Sequence, residues 1–280
     1  MGYGYQDKTN RVSLRQYNNA TTLVMETIET LDSTNRIQIM TNRRNSSGPV
    51  FASHNYTFDD ADRRETATRE DATYWDYEYT ERGQVTAARK KLTSDNTLLA
   101  GMESTYAYDD IGNRETWASG GGPATASGTP TPVSRTVTYT SNDLNQYTGL
   151  AYNTRSFDVI GRAPTSETVT VNSVSPYEQV ITASVLDQFR ASITAASGTN
   201  STGGYEYVNV QTAFATNLEY SGLKWVPATT TSPTYDHDGN LKTNGRWNYY
   251  WDAENRLVLA SRAANTAAGL PALIVTFTYD

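Results

Sequence analysis

Few side chains in this sequence could perform acid, base or metal chemistry. It contains only two histidines, His54 and His237, and no cysteine. Histidine is the side chain that changes charge near neutral pH, so histidine-based catalysis would depend on these two positions. His54 stands at the entrance of a predicted strand with no nucleophile close to it in sequence. Without cysteine, neither disulfides nor thiolate metal sites can form.

His237 lies in the segment Asp236–Asn240, which resembles the start of a calcium-binding loop. Calcium binds roughly six to eight oxygens, and a loop of this type needs another acidic residue about seven positions after its glycine. The eight residues that follow Gly239 include no acidic side chain. We therefore interpret the segment as a turn.

A second acidic cluster, Asp59, Asp60 and Asp62, offers paired carboxylates, which we interpret as turn caps rather than as catalytic acids. The sequence has no Gly-x-Ser-x-Gly elbow, phosphate-binding loop or dinucleotide fingerprint. We therefore predict no catalytic, cofactor-binding or metal-binding residues, no cofactor, and a protein that is not an enzyme.

Both acidic segments belong to a five-residue pattern, here called the turn phrase, that occurs nine times. It consists of Asp or a polar replacement, two variable residues, then Gly, Asn or Asp, and finally Arg, Asn or Gln. The copies are Asp7–Arg11, Asp32–Arg36, Asp59–Arg63, Thr80–Gln84, Asp109–Asn113, Asn142–Gln146, Asp158–Arg162, Asp236–Asn240 and Asp252–Arg256. Their fourth residues are Asn10, Asn35, Asp62, Gly83, Gly112, Asn145, Gly161, Gly239 and Asn255.

The fourth position of the phrase predicts a left-handed backbone. Gly, Asn and Asp enter that region at little cost, whereas other residues lose about 1–2 kcal/mol there. An Asp or Asn at the first position can accept hydrogen bonds from backbone N–H groups two residues later, which indicates a type I turn followed by a bulge. Each phrase is therefore predicted to be the tip of a β-hairpin.

Aromatic residues that alternate as they would in strands precede several of the turn phrases. Examples are Tyr106 and Tyr108 before Asp109, and Tyr249 and Trp251 before Asp252. Residues two apart in a strand point to one face, so these pairs form aromatic rows on a sheet.

Three heptapeptides, Tyr108–Arg114, Tyr235–Leu241 and Trp251–Leu257, resemble the YD repeats of the Rhs family. The resemblance covers residues 1–162 and 235–280. It implies a β-hairpin array that spirals into a hollow shell, as in bacterial Rhs polymorphic toxins, the cocoon of insecticidal toxin complexes and the barrel of animal teneurins. In that family the repeats are walls around a cargo. The Asp-Pro-x-Gly self-cleavage signature is missing here, so neither cleavage nor a particular cargo is implied.

The fold class predicted from these patterns is all-β, with repeated antiparallel hairpins forming a segment of a spiralling shell. We divide the chain into hairpin arrays at 1–162 and 235–280, separated by residues 163–234. This middle part contains alternating strands at Glu167–Asn172, Val180–Val185 and Tyr205–Val210. It is either a set of degenerate hairpins or an inserted β-sandwich-like module.

Two segments have a less regular pattern. We predict a flexible surface loop from Ala118 to Pro132, which is rich in Gly, Pro, Ser, Thr and Ala. Thr22–Thr30 is the one short candidate for a helix, and a strand fits it equally well. The chain closes on Tyr279 and Asp280, the opening of a tenth phrase, so we expect an array cut in mid-repeat.

The net charge of −7 argues against a nucleic-acid surface, because phosphates are bound by clustered Lys and Arg. The one basic run, Arg89–Lys91, is interpreted as a solvated strand edge. No apolar stretch approaches the roughly 20 residues that span a bilayer, and the N-terminus lacks the pattern of a signal peptide.

Arginine recurs at the fifth position of the turn phrase. Stacked repeats would place these side chains in rows, and we expect salt-bridged ladders with carboxylates such as Glu65 and Glu254, and guanidinium groups stacked on tyrosine. Capture of a ligand by the row is the alternative. The residues concerned are Arg11, Arg36, Arg63, Arg162 and Arg256.

The function predicted from the sequence is a structural shell or scaffold segment that encloses a toxin, an effector or other cargo. The expected partners are the remainder of the shell, the cargo, and further copies of the chain at unpaired strand edges. The resemblance places the protein outside the cell or on its surface. The alternative is an extracellular adhesive or carbohydrate-binding module in which Trp247 and Trp251 stack on glycans.

Overall fold

The computed structural model describes residues 2–5, 11–123, 130–131, 135–181, 186–196, 203–212, 218–264 and 269–279. Every regular element within these ranges is a β-strand, which confirms the all-β prediction. Thr22–Thr30 is a strand rather than a helix. The chain divides into two compact units, Met1–Glu103 with Ile181–Val185, and Ser104–Val180 with Leu186–Asp280.

In the first unit, each strand is antiparallel to the strand that precedes it in the chain, and neighbours in sequence are neighbours in the sheet. The last strand continues through Glu103 into the second unit. The strands are β1 (Gly2–Tyr5), β2 (Val12–Asn19), β3 (Thr22–Leu31), β4 (Ile37–Arg43), β5 (Val50–Phe58), β6 (Arg64–Arg69), β7 (Thr73–Tyr79), β8 (Val85–Leu92) and β9 (Leu98–Tyr108).

The described residues of the second unit form seventeen further strands. They are β10 (Arg114–Gly120), β11 (Gly122–Pro123), β12 (Pro130–Thr131), β13 (Arg135–Ser141), β14 (Tyr147–Tyr152), β15 (Ser156–Pro164), β16 (Val169–Val171), β17 (Tyr177–Gln179), β18 (Leu186–Thr194), β19 (Gly204–Thr212), β20 (Leu218–Val226), β21 (Thr230–Thr231), β22 (Thr234–Tyr235), β23 (Leu241–Thr243), β24 (Asn248–Trp251), β25 (Leu257–Arg262) and β26 (Leu273–Thr276).

The strands of the second unit form several antiparallel sheets. Strands β10, β13, β14 and β21 are successive neighbours, and β11 pairs with β12. Two three-stranded sheets have the orders β15-β18-β17 and β16-β19-β20, and a five-stranded sheet runs in chain order from β22 to β26. The hairpin order is thus kept from β22 onward and interrupted between β15 and β20.

The largest apolar core lies between the two three-stranded sheets. Phe157 and Phe189 come from the first sheet, and Val171 and Val210 from the second. Burying such side chains contributes about 1.5–3 kcal/mol each, so this core holds the two sheets together. The boundaries 1–162, 163–234 and 235–280, and the two interpretations of the middle part, stay predictions.

Seven turn phrases have the left-handed fourth residue that the sequence predicts. The φ angles are 65° at Asn35, 62° at Asp62, 84° at Gly83, 98° at Gly112, 60° at Asn145, 88° at Gly239 and 59° at Asn255. The strand register shifts just before these turns, for example between Thr57 and Phe58 and between Tyr250 and Trp251, as expected for a bulge. Asn10 lies outside the described residues.

The turn predicted at Asp158–Arg162 is wrong, because these residues lie inside β15. Gly161 is opposite Phe189 of β18 and has no positive φ. A Cβ atom on Gly161 would come within 2.4 Å of the Phe189 ring, so the glycine makes room for an aromatic side chain. The same residue type therefore serves a different physical purpose here.

The predicted surface loop is also wrong over its first part. Ala118, Ser119 and Gly120 belong to β10, and Gly120 and Gly121 are buried. Gly120, Gly121 and Gly122 have positive φ angles, a conformation that favours glycine. Residues 124–129 and 132 lie outside the described ranges.

The run Arg89–Lys91 lies in β8, which is an interior strand between β7 and β9 rather than an edge. Each cation has an acidic partner on a neighbouring strand or turn: Arg89 pairs with Glu78 and Glu103, Lys90 with Asp71, and Lys91 with Asp76. Cross-strand pairs of this kind stabilise a sheet and neutralise its charge.

We expect Gly161→Ala to destabilise the protein by about 1–3 kcal/mol, because the new methyl group overlaps the Phe189 ring. The loss should shrink in a Phe189→Leu background, where the ring is absent. Gly149→Ala in β14 is the matched control, since its Cβ would meet Thr140 only at 3.6 Å. Urea unfolding measures the unchanged protein, the three single variants and the double variant, and an equal cost of Gly161→Ala in both backgrounds would contradict the interpretation.

Candidate functional site: turn ladder and aromatic cleft

Each turn phrase is closed by hydrogen bonds to its first residue, as Asp59 shows. One carboxylate oxygen of Asp59, Oδ1, accepts hydrogen bonds from the backbone N–H groups of Ala61 at 3.0 Å and Arg63 at 2.9 Å. The other oxygen, Oδ2, accepts from the Arg63 guanidinium at 2.7 Å. The backbone adds a bond from Asp62 N–H to the Asp59 carbonyl at 3.0 Å.

The same closure recurs at the other described turns, with a fifth residue that matches the first. Where the first residue is Asp, the fifth side chain donates to its Oδ2; Arg36, Asn113, Asn240 and Arg256 do so at 2.6–3.2 Å. Where the first residue carries its own donor, as in Asn142 and Thr80, the fifth residue is Gln and its Oε1 accepts. The fifth residue is therefore a donor where the side chain of the first residue is an acceptor, and an acceptor where that side chain is a donor.

These hydrogen bonds keep the turn aspartates ionised. Hydrogen bonds from the backbone and side chain of Arg63 are the main causes that lower the pKa of Asp59. For Asp109 and Asp236, loss of hydration would raise the pKa, but the hydrogen bonds from Asn113 and Asn240 outweigh it and lower the pKa. A carboxylate that accepts several N–H donors is stabilised in its charged form.

The fifth residue also reaches forward to the following turn. Arg36 pairs with Asp62, and the Arg63 guanidinium donates to the Thr80 carbonyl at 2.7 Å. The amide of Asn240 donates to the Asn255 side chain at 2.7 Å. Arg11 to Asn35, Asn113 to Asn145 and Gln146 to Gly239 make equivalent contacts. We call this set of contacts the turn ladder. It joins successive turns from Arg11 to Thr80 in the first unit and from Asp109 to Asp252 in the second.

Aromatic residues that precede several of the turn phrases also contact the ladder. Arg36 lies over Phe58 at 4.3 Å, Arg63 over Tyr79 at 4.7 Å, and Arg256 over Tyr279 at 5.1 Å from the ring centroids. Such contacts contribute about 0.5–1 kcal/mol each at exposed sites.

The polar tips of these aromatic residues bind the backbone that follows the preceding turn. Tyr79 donates to the Arg64 carbonyl at 2.6 Å, Trp251 to that of Leu241 at 2.8 Å, Tyr235 to that of Tyr147 at 3.1 Å and Tyr279 to that of Leu257 at 2.8 Å. Where both kinds of contact occur, as between the turns that begin at Asp59 and Thr80, neighbouring hairpin tips are fixed by a side chain from either direction.

The predicted arginine ladder is confirmed for Arg36, Arg63 and Arg256, which pair with turn aspartates and stack on aromatic rings. Glu254 joins Arg256 at 2.8 Å, whereas Glu65 contacts Thr57 instead. Arg162 lies within β15 rather than at a turn, so it does not belong to this row of turn arginines. Its pairing with a carboxylate stays a prediction.

The histidines and acidic clusters occupy the turns and strands that the sequence analysis assigned to them. His54 lies in β5 with its ring 5.8 Å from that of Tyr56, and burial with the nearby Arg69 lowers its pKa. His237 is exposed in its turn, where Asp236 accepts backbone hydrogen bonds. In the described part of the chain, no three His, Asp or Glu side chains form a metal-binding group.

A cleft of about 890 Å³ lies in the second unit and is lined by residues of β14 and of β20 to β24. Trp247, named from the sequence as a stacking residue, lines it, whereas Trp251 belongs to the ladder. The remaining lining includes the aromatic residues Tyr147, Tyr152, Trp225, Tyr235 and Tyr249, together with Asn244 and Arg246.

Sequence reasoning did not identify Arg246 or Trp225 as members of this cleft. Asn244-Gly245 between two short strands is a hairpin signal that would have placed Arg246 and Trp247 together at a tip. Nothing local in the sequence connects Trp225 to them.

Gly112→Val should destabilise the protein by about 1–3 kcal/mol, because valine is strained at the left-handed position. Gly112→Asn should be tolerated better, since Asn occupies the same position in other turns. Ile111→Ala, at a side chain that is 72% exposed in the same turn, is the control and should change stability by less than about 0.5 kcal/mol. Equal losses for valine and asparagine in urea unfolding would contradict the turn assignment.

The lowered pKa of Asp59 predicts an acid-sensitive turn. The carboxylate stabilises the fold above its unfolded pKa of about 3.9, and this contribution is lost as the pH falls through the lower folded value. Asp59→Asn keeps the amide oxygen as an acceptor but cannot titrate, so its melting temperature should fall less between pH 5 and pH 2. Asp60→Asn, in the same turn, is the matched control. An acid dependence of Asp59→Asn as steep as that of the unchanged protein would refute the prediction.

No helix in the described residues is long and apolar enough to cross a membrane.

Comparison with known proteins gives similarity to solved structures only. No protein-family model matches the chain, and no curated protein matches it. Similar solved structures are the Photorhabdus luminescens Tc holotoxin pore (15% identity, TM-score 0.32), TcdB2-TccC3-TEV (14%, 0.32) and TcdB2-TccC3 without its hypervariable C-terminal region (14%, 0.34). Each alignment covers 91% of this chain and 13% of the other, so the chain spans a small part of the structures that it matches.

Proposed function

We propose that this chain is a segment of a structural wall that encloses a cargo. The turn ladder supports this proposal most directly. Several fifth residues bind both their own turn and the next one, so the ladder can be extended by further hairpins without a change in chemistry. They are Arg36, Arg63, Asn113, Gln146 and Asn240. A structure of this kind is suited to building a surface.

We propose further that the segment is not an enzyme. The aspartates that could act as acids or bases are engaged in closing turns, and their pKa values are lowered, which removes them from proton transfer near neutral pH. The wall would therefore act by surrounding the cargo and by keeping its hairpins closed.

The proposed partners are the remainder of the wall, an enclosed toxin or effector, and other copies of the chain. Strand β26 is the edge of its sheet and exposes apolar side chains: Leu273 is 43%, Ile274 64% and Val275 38% exposed. An exposed edge of this composition pairs readily with another strand. The paired cations of β8 agree with a protein that does not bind nucleic acid. Its proposed location is outside the cell or on its surface.

Edge pairing predicts that the chain self-associates. Sedimentation equilibrium should give an average mass that rises with concentration, and Ile274→Lys should lower it, because a charge on the edge opposes strand addition. Ile111→Lys adds the same charge at an exposed turn and should leave association unchanged. A monomer at every concentration, or an equal effect of the two lysines, would contradict edge pairing.

Enclosure itself is tested on the natural protein that carries this sequence. Electron microscopy should show a hollow particle if the hairpins enclose a cargo. An extended stalk would overturn enclosure in favour of the adhesive alternative.

A further inference from the structure

The aromatic cleft of the second unit has the dimensions and lining of a ligand site. Its volume of about 890 Å³ lies within the ~300–1,000 Å³ of small-molecule sites. Six of its lining residues are Tyr or Trp. These side chains combine a flat apolar face with a polar tip, which matches the C–H faces and hydroxyl edges of a sugar ring.

The polar tips within the cleft are held by specific contacts, so the rings are preorganised. The Tyr235 hydroxyl donates to the Tyr147 carbonyl at 3.1 Å, and the Tyr249 hydroxyl accepts from the Asn244 amide at 2.9 Å. Trp225 packs against Gly203 so closely that a Cβ on the glycine would lie 2.3 Å from the indole. Rings fixed in this way lose little freedom when a ligand binds.

A short turn between β23 and β24 presents a cation beside these rings. Asn244 accepts hydrogen bonds from the backbone N–H groups of Arg246 at 3.0 Å and Trp247 at 2.9 Å. Gly245 has a φ of 85°, which lets the chain reverse at this point. The turn is therefore built to project Arg246 and Trp247 side by side.

Two guanidinium groups converge on one hydroxyl next to the cleft. Arg246 donates to the Tyr205 oxygen at 3.2 Å and Arg262 at 3.0 Å. Arg246 also lies 5.4–5.9 Å from the ring centroids of Tyr205, Trp225 and Trp247. Two like charges are thus held close together among aromatic rings, in a protein whose net charge is −7.

These two arginines differ from those of the turn ladder. Arg36, Arg63 and Arg256 each pair with a carboxylate, but neither Arg246 nor Arg262 pairs with any carboxylate that the structure describes. The Nε atoms of both are buried and have no hydrogen-bond partner within the described ranges. A carboxylate bound at Arg246 would supply the missing anion, and guanidinium groups bind carboxylates in a planar, two-point geometry.

We propose that this cleft binds a saccharide that carries a carboxylate. The sugar rings stack on Trp247 and the neighbouring aromatic residues, and the carboxylate binds the guanidinium of Arg246, with Arg262 adding to the positive potential. An acidic peptide would satisfy the arginines but would leave the broad aromatic lining without matching rings. The inference does not depend on the proposed wall function.

Calorimetric titration of the full chain with tetragalacturonate, its methyl ester and sialyllactose tests the proposal. The ester keeps the sugar rings and removes the charge, so we expect it to bind at least tenfold more weakly than the acid. Arg246→Gln should lower the affinity for the acid at least tenfold and leave that for the ester unchanged. Trp247→Ala should weaken both, and raised salt should weaken the acid alone.

Tyr250→Ala is the matched control, because Tyr250 lies in β24 beside the cleft residue Tyr249, is 54% exposed and does not line the cleft. Its binding should equal that of the unchanged protein. The comparison of acid and ester needs no variant, so it decides the proposal even if a substitution impairs folding. Equal binding of acid and ester, no binding of either acidic saccharide, or tighter binding of tetraglutamate would overturn it.

Discussion

The structure depends on the hydrogen bonds that one side chain makes across each hairpin corner. The first residue of a turn phrase binds backbone N–H groups of its own turn, which holds the fourth residue in the left-handed region and shifts the strand register by a bulge. That shift determines which side chains of the next strand face the turn. The fifth residue and the following aromatic residue then meet as a pair, and neighbouring hairpins are joined.

The same constraint explains how much of the fold could be predicted from the sequence. Gly, Asn or Asp at the fourth position has a local physical cause, so the turns at Asn35, Gly112 and Asn255 were predictable. The copy at Asp158 has the same letters but lies in a strand, where Asp158 pairs with the fully buried Arg190 at 2.9 Å. The carbonyls of Gly121 and Gly122 also bind that guanidinium. Partners this distant in sequence leave no local trace.

The candidate sites also differ in how far the sequence could predict them. The arginine ladder follows from the repeat itself, because equivalent positions of stacked hairpins must be neighbours. Beside the aromatic cleft, Tyr205 and Trp225, which are cross-strand partners in β19 and β20, meet Arg246 from the turn between β23 and β24. Only Trp247 was identified in advance, from its residue type, and its neighbours required the three-dimensional structure.

Turn phrases that begin with an uncharged residue would respond to acid differently from those that begin with aspartate. The corners that begin with Thr80 and Asn142 are closed without a carboxylate, through Gln84 and Gln146. A fall in pH therefore does not affect the closure of these two turns, whereas it weakens the turns that begin with aspartate. Acidification would therefore weaken some hairpin turns more than others, and the sheet would open first at the turns that begin with aspartate.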